Sequence, residues 1–218
     1  DLDRVFQFAH ADSSIEVLLN FSGAALARVG CAILRINDPP AAEESDTNLL
    51  NSQGIDESEL SAVLGGDWWK QHIQAKCPFA DKVARITEGY CAKLRTRFNE
   101  VCWHDIKERS EHVVPKYTLV FGSRHPHALG LMNDAAVKSR GRLAEDEAPR
   151  DSLLFEARSE ELVPDISKLP AIVLATVKGT VTRHAATTQV IRRDFGRFTG
   201  SQIRKAINEL VDSGRMKN

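Results

Sequence analysis

An α/β unit followed by a small helical domain is the fold this sequence predicts, and three observations carry that expectation. Val17-Leu18-Leu19-Asn20-Phe21 is an apolar run of strand length; amphipathic helical segments follow it and lead into two further strand-like runs; three more helical signals close the chain. The 218 residues, 42% apolar and 27% charged, exclude a disordered tail, a collagen-like fibre and a disulfide miniprotein. With 29 basic and 30 acidic side chains the formal net charge is −1, so any nucleic-acid binding must be local rather than a property of bulk charge. No apolar run approaches the ~20 residues of a membrane span. The opening Asp1-Leu2-Asp3-Arg4 is unlike a secretory signal, so the sequence reads as cytoplasmic with no membrane partner.

Leu2, Val5, Phe6 and Ala9 recur at helical spacing and open the chain in a helix. Ser14 to Phe21 follows, and its near-continuous apolar centre predicts an interior strand of a parallel sheet, covered on both faces and expecting further strands before it. Ala24 to Ile36 reads as a helix stopped by Pro39-Pro40, and the acidic stretch 41–53 as a loop. A helix starting near Asp56 carries Leu60, Val63 and Leu64 and ends at Gly65-Gly66, and Asp67 is expected to cap the next, which bears Trp68, Trp69, His72 and Ile73. Val83, Ile86, Tyr90, Leu94 and Phe98 mark a strong amphipathic helix over 81–98. Glu100 to Ile106 and Lys116 to Gly122 predict a hairpin, and a helix with Leu129, Met132, Ala136 and Val137 begins near Pro126. A strand, helices and then an antiparallel pair is how the second half of a Rossmann-like methyltransferase sheet closes.

The expected domains are a partial Rossmann-like α/β domain over 1–140, a linker over 141–164 and a winged-helix domain over 165–218. The apolar patch Leu153-Leu154-Phe155 is expected to dock back on the first domain. The winged-helix expectation rests on helices at Ile166 to Val177, Thr187 to Phe195 and Ser201 to Val211, with a short strand at Arg215-Met216-Lys217. Ile203, Ala206, Ile207 and Leu210 form the apolar face of the last helix. Residues 178–218 hold nine basic and three acidic side chains, a net +6 that leaves −7 for residues 1–177. Only this tail has a field suited to phosphates.

Tyr117-Thr118-Leu119-Val120-Phe121-Gly122-Ser123-Arg124-His125-Pro126, with Met132 on the following helix, resembles the bacterial three-Cys-motif partner proteins. Val17 to Phe21 with Arg28, Gly65-Gly66-Asp67-Trp68-Trp69 and the winged-helix pattern occur in the order of that family. The resemblance spans most of the chain and implies the C-terminal portion of a methyltransferase-like protein. The S-adenosylmethionine loop, the acidic ribose ligand and the Asp-Pro-Tyr-Gly-like motif of such proteins have no counterpart in this sequence. No cofactor residue is therefore carried over, and S-adenosylmethionine would need a complete N-terminal half. The glycine expected after the His-Pro pair is displaced to Gly130.

Two residue groups are candidates for function. Asn20 and Ser22 at a strand end, with Arg28, and Ser123-Arg124-His125 at another strand end form a substrate-binding set, because ligands of open α/β sheets bind at strand ends. An imidazole beside a guanidinium suits an anion or acid–base work, although no acidic partner is visible to orient the ring. Arg192, Arg193, Arg204, Lys205 and Arg215 suit phosphates, and Gln202 suits a base edge, as the nucleic-acid-binding set. A solvated helix face is the competing reading of the second set. Trp68 and Trp69 suit ring stacking, with at most one of two adjacent tryptophans free. Cys31, Cys77, Cys91 and Cys102 form no C-x-x-C pair and read as free thiols rather than zinc ligands. Beyond nucleic acid, the expected partners are an N-terminal half, a family partner protein or a second copy of the chain through sheet edges.

Overall fold

Val17–Phe21 is a strand, β1, but an outer one among the described strands. The computed structural model, which describes residues 2–11, 15–36, 55–107, 112–146 and 164–216, pairs β1 antiparallel with β3 (Tyr117–Ser123), and β3 pairs antiparallel with β2 (Glu100–Ile106). The order β1-β3-β2 makes a mixed α/β unit around a small antiparallel sheet. This corrects the expected interior parallel strand. The apolar run suggested cover on both faces, yet Leu18 is 54% exposed while Val17, Leu19 and Phe21 face the core. Alternation, not continuity, governs the strand.

Helices α1 (Leu2–Ala11), α2 (Gly23–Ile33), α3 (Glu57–Leu64), α4 (Trp69–Gln74) and α5 (Phe79–Leu94) supply the rest of this unit. Helix α3 starts in a capping box, where Asp56 accepts from the Glu59 amide at 2.9 Å and Glu59 accepts from the Asp56 amide at 3.1 Å. It ends on Gly65 at φ +73, a conformation that costs glycine least. Asp67 is not the cap of α4, which starts from Trp68; its carboxylate accepts from Ser61 Oγ and pairs with Lys70. On α5, Val83, Ile86, Tyr90 and Leu94 are buried as their spacing predicts, with Phe98 beyond the helix end. Tyr90 stacks on Phe21 at 4.5 Å, which ties β1 to α5.

The chain divides between Arg124 and His125. The long helix α6 (Pro126–Asp146) thus groups with the C-terminal unit, whereas the sequence predicts a division at a linker over 141–164. That unit continues with a 3₁₀ turn at Ile166–Lys168, α7 (Leu169–Thr176), α8 (Arg183–Arg193) and α9 (Gly200–Asp212). Helix α8 begins earlier than expected. Thr182 caps it, and Thr187 and Thr188 sit mid-helix with their hydroxyls turned back onto the carbonyls of Arg183 and His184. Ile203, Ala206, Ile207 and Leu210 of α9 are buried as their spacing predicts. No strand follows α9 among the described residues: Met216 instead donates its amide to the Leu210 carbonyl. The 41–53 loop, the Leu153-Leu154-Phe155 patch and Lys217 lie outside the described residues. No helix among those described is long and apolar enough to cross a membrane.

Candidate nucleic-acid interface

The segment Asp194–Thr199 joins α8 to α9 through Gly196 at φ +72. A turn this short leaves backbone groups that neither helix can satisfy. Two adjacent side chains of α6 satisfy them. Asn133, fully buried, accepts from the Gly196 amide at 2.9 Å and donates to the Phe198 carbonyl at 2.9 Å. Asp134 accepts from the Gly200 amide, the first of α9, at 2.8 Å. Its negative charge also suits a helix N-terminus. Asn133 and Asp134 were not singled out from the sequence, since an Asn-Asp pair inside a helix carries no local sign of a distant turn.

Thr199 closes the start of α9 with a capping box: its hydroxyl accepts from the Gln202 amide at 3.2 Å, and Gln202 Oε1 accepts from the Thr199 amide at 2.8 Å. The Gln202 oxygen is therefore committed to the cap rather than open to a base edge. Arg204 and Lys205, one turn further along, are exposed. So are Arg192 and Arg193 at the end of α8, and Arg215 after α9. These basic side chains are not equivalent. Arg193 donates to Thr176 Oγ1 at 2.8 Å and lies 3.5 Å from Asp194, which also holds Arg197 at 3.0 Å. Arg193 thus braces α8 against α7. Arg204 and Lys205 extend from a helix whose opposite face is locked in the core of the unit.

The expected substrate set does not assemble. Asn20 is exposed on β1 opposite Leu119, and Ser22 precedes α2 without a side-chain cap bond. Ser123 and Arg124 lie at the other end of the sheet, because β3 runs against β1 and its Thr118 is the residue opposite Phe21. The separation is roughly 17 Å along the strand. Ser123 is buried and donates to Glu16 Oε1 at 3.3 Å, while Arg124 donates to the Arg97 carbonyl and accepts from Asn99. His125, exposed, begins the second unit. Arg28 lies with its guanidinium 5.6 Å from the Phe79 ring centre, and its buried Nε makes no hydrogen bond among the described residues.

Trp69 is closed to ring stacking, and Trp68 is half-buried with one side of its ring occupied. Trp69 is buried and donates to Ser61 Oγ; Trp68 donates to the Leu64 carbonyl and lays its ring on Gly89. Cys31, Cys91 and Cys102 are buried and stand outside any disulfide among the described residues, and Cys77 is half-buried. Burial pushes the Cys91 thiol up to about 12. No group of three or more potential metal ligands occurs among the described residues. No protein-family model, curated protein or solved structure matches the chain.

Proposed function

We propose that this is a non-enzymatic nucleic-acid-binding protein, acting on duplex DNA through α9, with the α/β unit as its scaffold. One observation carries the reading. The α8–α9 turn is fixed from α6 by Asn133 and Asp134, so a helix bearing Arg204 and Lys205 is held in a set orientation by three hydrogen bonds, two of them buried. A rigidly presented helix with Arg204 and Lys205 in its first half suits the major groove of B-form DNA, about 12 Å wide; the deep, narrow major groove of A-form RNA excludes it. The net +6 of residues 178–218 supplies the attraction. Arg204, Lys205 and Arg192 are the phosphate contacts in this reading, with Arg215 at the margin. Fluorescence anisotropy with a labelled duplex tests it: saturable binding that weakens with salt supports the proposal, and no binding at low salt rejects it.

A second reading has the sheet in its favour. β1 and β2 run in the same direction with β3 reversed between them, the arrangement in which a methyltransferase-like Rossmann sheet closes. On this reading the chain is the C-terminal part of a three-Cys-motif partner protein, and its S-adenosylmethionine site would depend on residues outside positions 1–218. Calorimetry separates the two parts of that idea. The isolated chain is expected not to bind S-adenosylmethionine, and micromolar binding would contradict the reading.

A further inference from the structure

We propose that the outer edge of β1 is a homodimer interface, in which two copies pair β1 with β1 antiparallel about a two-fold axis through Leu18. Among the described residues, β1 is bonded to β3 on one side and no strand pairs with its other edge. Such an edge presents a row of backbone donors and acceptors that invites another strand. Among the described residues, two of the usual protections are missing. No Lys, Arg or Pro occurs from Ile15 to Phe21, and the register with β3 runs without a bulge from Val17 to Phe21. Leu18, at the centre of the strand, is 54% exposed.

The sequence of the strand is complementary to itself in one orientation. Two-fold pairing through Leu18 sets Leu18 against Leu18, Val17 against Leu19, and Glu16 against Asn20 of the other copy. Each carboxylate then meets an amide donor, and it does so twice in the symmetric pair. Parallel pairing in register would instead set carboxylate against carboxylate. Glu16 is already oriented by the Ser123 hydroxyl on one of its oxygens, and a carboxylate has capacity for further donors. The interface is isologous, so it closes as a dimer rather than growing into a fibre.

Sedimentation equilibrium of the full chain, together with a cysteine introduced at the axis, tests the proposal. The wild-type chain is expected to dimerise, and Leu18→Lys to weaken the dimer by roughly ten-fold or more with an unchanged circular dichroism spectrum. Leu18→Cys should form an intermolecular disulfide on mild oxidation well above the wild-type background, for which Cys77 is the half-buried native thiol. A strict monomer at high concentration overturns the proposal. So does a dimer that Leu18→Lys leaves intact, or one in which Leu18→Cys crosslinks no better than wild type, since either places the contact elsewhere.

Discussion

Asn133 in α6 donates from Nδ2 to the carbonyl oxygen of Phe198 at 2.9 Å, across 65 positions of sequence, and does so where it is fully buried. The same amide accepts from Gly196, so one side chain completes both backbone groups of the α8–α9 turn. Removing it strands a buried donor and a buried acceptor at once. Asn133→Ala is expected to cost about 2–3 kcal/mol in urea unfolding, and to weaken DNA binding in the same variant. A loss under about 1 kcal/mol would mean the turn holds itself.

Glycine substitutions in two helices should have opposite signs. A methyl group at Gly89 would overlap the Trp68 ring, which is tethered by its bond to the Leu64 carbonyl. Gly89→Ala should therefore destabilise by about 1–3 kcal/mol despite the better helix propensity of alanine. Gly130, inside α6, meets nothing within 4 Å. Gly130→Ala should stabilise by about 0.5–1 kcal/mol. Thermal unfolding of the two variants checks the pair: a Gly89→Ala variant no less stable than wild type would refute the packing assigned to Trp68, and a destabilised Gly130→Ala variant would refute the open space at Gly130.

Alkaline pH should weaken the fold. Burial raises both Cys91 and Tyr90 to about 12, from ordinary values of 9.0 and 10.0. Between the ordinary and the raised values the unfolded chain releases protons that the folded chain retains, so stability falls as pH rises. The full contribution is present below pH 9 and is lost progressively toward about 12. Each proton contributes a slope of about 1.4 kcal/mol per pH unit. Urea midpoints measured at pH 8 to 11 should fall more steeply for the wild type than for Cys91→Ala. Parallel profiles would show that the thiol is not retained in its protonated form.

Much of the architecture was legible because local rules coincided with packing. The stepping of Val83, Ile86, Tyr90 and Leu94 gave α5, and the spacing of Ile203, Ala206, Ile207 and Leu210 gave the buried face of α9. Asp56 and the Gly65-Gly66 pair marked the two ends of α3. The errors have physical causes. Val17-Leu18-Leu19 is apolar throughout although Leu18 is 54% exposed, and period carries no information on which strands pair, so it could not show β1 to lie outermost among the described strands. Thr187 marked the expected start of α8 because threonine satisfies backbone either at a helix start or by turning back within one. The candidate site was legible in charge but not in geometry. Basic residues of the tail were visible as a cluster, whereas the division of roles among Arg193, Gln202 and Arg204 depends on partners in other elements.

The claim that α9 is the DNA-contacting element is tested most directly by the salt dependence of duplex binding, compared between the wild-type chain and the double variant Arg204→Ala, Lys205→Ala. Plotted as log affinity against log salt, the double variant is predicted to lose about two units of slope, close to one per phosphate contact removed. An affinity and slope equal to the wild type would contradict the assignment and move the interface away from α9.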